Sequence, residues 1–210
     1  LELGVTARHE PQAVGKGWVR WWEERPRRLA RSATGADALM REINRLLEKR
    51  GDPPVAVKNC FEIRRGPWIV TAVMDESVSD EPRVLRGRFV DVFDPALPVI
   101  SEKVVSVNQR SLLYDLDWPA RKWLRAAVTV SAGRVRHVRV SDNEISFTTR
   151  GPVNTTGRTL VWLPGPPEKV ECDVECVRTW HGEFQVLSLE YPHQAREIAF
   201  RVRWNTGGGQ

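Results

Sequence analysis

Three cysteines in 210 residues, Cys60, Cys172 and Cys176, make no even disulfide framework. A chain of this length buries enough apolar surface to fold without one. No apolar run approaches the roughly 20 residues that cross a bilayer, so the chain is expected to be soluble, with no membrane partner. Absent too are a nucleophile elbow, a phosphate-cradling glycine loop and a His-Glu zinc helix. Zinc spacing needs two close pairs of Cys or His, whereas Cys172 and Cys176 have only the distant Cys60, His181 and His193 for company. No metal and no cofactor are therefore expected. The chain opens on Leu1 with no basic-then-apolar leader, which is the expectation for a piece of a longer protein or for one whose signal has been removed.

What is present is a globular composition, 41% hydrophobic and 28% charged. The net charge of +5 is uneven: residues 1 to 51 hold 11 Lys or Arg against 7 Asp or Glu, and the remainder is nearly balanced. In "TGADALMREINRLLEKRGDPP" the residues Leu39, Met40, Ile43, Leu46 and Leu47 fall on one face of a helix. Thr34 stands at its N-cap position, and Gly51 and Pro53 stop it. Upstream, "GKGWVRWWEERPRRLARSA" places Trp18, Trp21, Trp22 and Leu29 on a comparable stripe, split or kinked at Pro26. Two helices packed through tryptophans are expected over residues 1 to 53.

From about residue 54 the period changes to two. In "EIAFRVRW" Ile198, Phe200, Val202 and Trp204 alternate with polar or small neighbours, which marks an antiparallel strand with one buried face. "KVECDV" sets Val170, Cys172 and Val174 against Glu171, Asp173 and Glu175, and "EISFTT" behaves alike. Further runs at 57 to 64, 68 to 74, 84 to 93, 99 to 106, 110 to 115, 123 to 131, 134 to 140, 158 to 163 and 183 to 190 make about a dozen strands. Turn residues separate them, and no helical pattern intervenes. This predicts a mainly β fold, an antiparallel β-sandwich over 54 to 204, one large or two small with a division near 115 to 123, followed by a flexible tail at 205 to 210. "RRGPW" and "SAGRV" read as hairpin turns, and "LPGPP" at 163 to 167 reads as a crossing between strands.

Candidate site residues follow from residue type. Paired carboxylates serve glycoside hydrolysis, and the densest acidic spots in the strand region are Asp75 with Glu76 and Asp91 with Asp94. All four stand where strands give way to turns, which is ordinary for acidic residues, so the chain by itself is expected to be noncatalytic. Nine tryptophans are many, and exposed indole faces stack on sugars. Trp68, Trp123, Trp162 and Trp180 are the candidate carbohydrate platforms, while Trp18, Trp21 and Trp22 are candidates for an interface. "RPRRLAR" at 25 to 31 is the one feature suited to nucleic acid or another polyanion. It lacks a recognition fold and is partly balanced by Glu23 and Glu24, which argues for a solvated helix face.

"TLVWLPGPPEKVECDV" followed by "FQVLSLEYPHQAREIAFRVRW" resembles the C-terminal β-sandwich modules of multidomain glycoside hydrolases. "FEIRRGPWIVTAVMDESVSDEPRVLRGRFVDVFDPALPVISEKVVSVNQRSLLYDL" is similar to their accessory domains in its strands broken by acidic and proline-bearing turns. The resemblance implies an accessory region that scaffolds a catalytic domain of the same polypeptide or complex and contacts polysaccharide. It carries over no catalytic residue, because in such enzymes the paired carboxylates belong to a separate barrel domain. The chain departs from the pattern at Cys172 and Cys176, which flank a hairpin such modules build from Asn-Gly or Asp-Gly. A free-standing glycoside hydrolase and a polyanion-binding helix pair are the alternatives.

Overall fold

The computed structural model describes residues 10–21, 23–32, 34–55, 58–75 and 79–205. They belong to two compact units that divide after residue 57. In the first unit, strands β1 (Gln12–Val14) and β2 (Gly17–Val19) form a hairpin, and helices α1 (Pro26–Arg31) and α2 (Gly35–Arg50) follow. The tryptophan stretch is thus not the first of two packed helices. Gly15, at φ +58°, turns the hairpin, and Pro26 opens α1 at a first-turn position where its missing N–H costs nothing. Trp18 lies in β2, and the Lys49 ammonium of α2 sits 5.0 Å from its ring.

The second helix forms where expected, with a different start. Thr34 makes no side-chain cap bond; its hydroxyl meets Ser32 Oγ at 3.4 Å instead. Gly51, in the left-handed conformation, ends α2 by donating to the Glu48 carbonyl at 2.9 Å, while Asp52 N–H reaches Leu47 at 2.9 Å. Helices α1 and α2 meet so closely that a Cβ on Gly35 would lie 2.0 Å from the Leu29 carbonyl oxygen. No helix among the described residues is long and apolar enough to cross a membrane.

The second unit is a β-sandwich with a further sheet against it. Strands β3 (Cys60–Arg65), β4 (Trp68–Val73), β5 (Arg83–Asp91), β6 (Val99–Val105) and β7 (Arg110–Asp115) make a five-stranded sheet in the order β3-β4-β7-β5-β6. After the single turn of α3 (Trp118–Arg121) come β8 (Ala127–Ser131), β9 (Arg134–Val140), β10 (Glu144–Arg150), β11 (Thr156–Trp162), β12 (Pro167–Cys172), β13 (Val177–His181), β14 (Val186–Pro192) and β15 (Ile198–Trp204). These eight form two four-stranded sheets, β13-β14-β11-β8 and β12-β15-β10-β9. All strand pairs are antiparallel.

Between the two four-stranded sheets lies the main core: Ile145 and Phe147 of β10, Val161 of β11, Leu187, Leu189 and Tyr191 of β14, and the alternating Ile198, Phe200, Val202 and Trp204 of β15. The opposite face of β13-β14-β11-β8 is buried as well. Val130, Leu160, Trp162 and Val186 pack there against Val90, Leu97, Tyr114 and Leu116 of the five-stranded half. Two ties span this contact: Arg88 bonds both Asp117 at 2.6 Å and the Glu183 carbonyl at 3.0 Å, and Arg158 joins Glu190 and the Ala96 carbonyl.

"RRGPW" is the β3–β4 hairpin, turned by Gly66 at φ +60°. "LPGPP" carries the chain from β11 in one sheet to β12 in the other, as a crossing. "SAGRV" is different: β8 and β9 lie in separate sheets, so it is a corner and not a hairpin. The expected division near 115 to 123 coincides with α3, yet residue 58 onward remains one compact unit. Residues 206–210 of the expected tail lie outside the described residues.

Candidate functional site

The outward face of the β12-β15-β10-β9 sheet carries two neighbouring depressions. One, of about 430 Å³, is walled by His137, Arg139, Ser146, Thr148, Glu171 and Arg201, among others. The other, of about 410 Å³, lies among Ser141, Asn143, Glu144, Glu168, Lys169 and Arg203. The period of two explains the lining: each strand turns its apolar residues to the core and its polar ones here.

The polar side chains form a ladder of ion pairs across the sheet. Glu144 of β10 receives Arg203 at 2.7 Å and Arg201 at 3.5 Å from β15, and Arg201 reaches on to Glu171 of β12 at 3.7 Å. Lys169 pairs with Glu171 at 2.6 Å. At the other end Arg136 meets Glu197 at 3.0 Å, and the Thr148 hydroxyl donates to the same carboxylate at 3.0 Å. The hydrogen bond from Lys169 holds Glu171 below the usual carboxylate range, and the bond from Thr148 does the same for Glu197.

One wall is shaped by an irregularity in β9. Register shifts between Ser146 and Thr148 of β10, so that two residues of β9 oppose one. His137 takes the left-handed conformation there, φ 51°. A bulky residue in that region stores strain, and it places His137 in the groove wall.

The residues singled out from the sequence are scattered. Asp91 is 5% exposed; one of its oxygens accepts the Phe93 N–H at 3.2 Å and the other pairs with Lys103. Asp94 accepts the Ala96 N–H at 2.8 Å, a turn-forming bond. Asp75 is exposed after β4, and Glu76 lies outside the described residues. Trp162 is 4% exposed and buried in the contact with the five-stranded half, so it presents no face to a sugar and leaves the platform candidates. Trp180 is half-buried against the main core. Trp123 is 92% exposed. Trp68 stands edge-on to Tyr114, with centroids 5.1 Å apart, and lines a separate, mostly apolar groove of about 610 Å³ beside β8.

In the first unit Trp18 and Trp21 are 37% and 58% exposed, and Trp22 lies outside the described residues. Arg28 of the basic stretch pairs with Glu24 at 3.3 Å. The cysteines are half-buried rather than buried. Among the described residues no group of three or more His, Cys, Asp or Glu could hold a metal ion. Family models, curated proteins and solved structures were each compared with the chain, and none matches.

Sequence reasoning missed the sheet-face ladder. Its signal was present in the outward partners of the alternating strands, Ser146 and Thr148, Glu171 and Asp173, Arg201 and Arg203. A single strand shows these only as a wet face; strand order, which brings β12, β15 and β10 side by side, turns them into a surface.

Proposed function

We propose that this chain is a noncatalytic β-sandwich region of a carbohydrate-active enzyme, and that the outward face of β12-β15-β10-β9 takes a stretch of neutral glycan. The observation that carries this reading is the pair of adjoining depressions along a ladder in which carboxylates and guanidinium groups alternate. A sugar hydroxyl donates one hydrogen bond and accepts others, so a polyol matches a surface offering both kinds of partner at every step. Glu144, Glu168, Glu171, Asp173 and Glu197 stand here against Arg136, Arg139, Lys169, Arg201 and Arg203. Such balance gives no field of one sign and disfavours a polyanion. The polar ladder takes the part that stacking indoles were expected to play. In the full enzyme the catalytic domain is the partner, and the exposed Trp18 and Trp21 supply apolar surface for it.

Titration calorimetry against a panel of neutral and anionic oligosaccharides tests this. Binding of at least one neutral glycan is expected, weakened by about tenfold or more in R201A and in E171A, as befits loss of a hydrogen bond to a charged group. Failure of every neutral glycan to bind, or binding of the anionic members alone with a steep salt dependence, overturns it. Hydrolysis of a panel member by the chain that is abolished in D91N would also overturn the noncatalytic reading.

A further inference from the structure

Cys172 is the last residue of β12, and Cys176 stands directly before β13 in the other sheet. The step between them is the strap by which the chain passes over the rim of the sandwich. Both side chains, with Val174 between them, pack against the main core; the Cys176 thiol donates to the Val177 carbonyl at 3.5 Å, and Cys172 lies near enough for its charge to raise the Cys176 thiol further. The strap is pinned at Asp173, whose carboxylate accepts the Ala199 N–H at 3.0 Å and whose own N–H donates to the Ala199 carbonyl at 3.4 Å. Cys172 also lines the larger sheet-face groove, so a small reagent can reach the pair. Cys60 stands apart, on β3 of the five-stranded sheet.

We propose that Cys172 and Cys176 are a disulfide-forming pair that locks this strap, closed by exchange with a low-molecular-weight disulfide. The Cys172 thiolate attacks one sulfur of that disulfide, whose S–S bond breaks and releases one small thiol. The Cys176 thiolate then attacks Cys172 in the mixed disulfide, forming the intramolecular bond and expelling the second small thiol. Two electrons and two protons leave the cysteine pair and reside on the two released thiols.

Burial pushes the Cys172 thiol up, and pushes that of Cys176 up to about 11. Strongly oxidising disulfides owe their reactivity to a stabilised thiolate in the reduced form. Burial outweighs the help that the Arg178 charge and the Val174 and Glu190 backbone give a thiolate here, so the closed form resists reduction and acts as a structural lock rather than a redox catalyst. The same burial makes closure slow at neutral pH and faster as the pH rises.

The test equilibrates the full chain with oxidised glutathione at mildly alkaline pH, alkylates it under denaturing conditions and maps the peptides. The expected result is one alkylated cysteine, Cys60, and a peptide in which Cys172 is linked to Cys176. The midpoint of thermal unfolding should rise by about 4–8 °C, as closing a five-residue loop implies. The C60S variant should close equally well. Three alkylated cysteines, glutathione retained on either cysteine, or a link to Cys60 or to a second chain would each overturn the proposal.

Discussion

His193 shows how one side chain can be fixed by residues far apart in the chain. It is 4% exposed, its ring stands edge-on to Tyr191 with centroids 5.4 Å apart, and its Nδ1 has no hydrogen-bond partner among the described residues. Three glycines make room for it. A Cβ on Gly151 would lie 2.3 Å from Nε2, one on Gly157 2.8 Å from Nε2, and one on Gly133 2.9 Å from Cε1. Burial pushes its pKa below the ordinary histidine value. The unfolded chain takes up the proton near pH 6.5, and the folded chain only at lower pH. Its contribution to stability is therefore complete above pH 6.5 and is lost as the pH falls toward the folded value. Urea denaturation at pH 7.5 and pH 5.5 should show the native protein losing more stability than H193Q over that interval. None of this is legible in "YPHQ", because the cradle is assembled from the ends of four strands. Trp162 failed as a platform for a related reason. Its strand is buried on both faces, which a run reading "TLVW" does not distinguish from one wet on one side.

Among the elements, those whose pattern carries its own reason were legible. β15 alternates over its whole length because it lies inside its sheet with one face on the core, and α2 has both an apolar stripe and a glycine stop. The elements that escaped are short or lie at an edge. β13 has Val177 66% exposed and buries little, and α3 is one turn with a proline at its second position. Trp18 of β2 stands three residues from Trp21, a spacing that fits a helix, and the turn at Gly15 makes its segment a hairpin strand instead. β5 contains a device of its own. Gly87, at φ +152°, occupies the register shift between Arg86 and Phe89, and the Phe89 ring lies over it where a Cβ would come within 2.6 Å of Cζ. G87A should destabilise the protein by about 1–3 kcal/mol through crowding, with added backbone strain, as measured by chemical denaturation. F89L should reduce that penalty, since it removes the atoms that collide.

For the molecule as a whole, the sequence disclosed the change from helical to strand periodicity and placed it within a few residues of the division after residue 57. It did not disclose that the strands after that point form three sheets in one body, because strand runs carry no label for the sheet they join. A chain beginning at Lys58 should fold by itself, giving a single cooperative urea transition at a midpoint close to that of the full chain for the same spectroscopic signal. Cutting instead at α3 should leave both pieces aggregated. The sheet β13-β14-β11-β8 would then turn Leu160, Trp162 and Val186 to water, and the five-stranded piece would turn out Val90, Tyr114 and Leu116. The middle sheet thus makes residues 58–205 a unit of inheritance. A crossover near α3 would have to bring both halves of the Trp162 contact from one parent, so ancestry on the two sides of α3 should be shared.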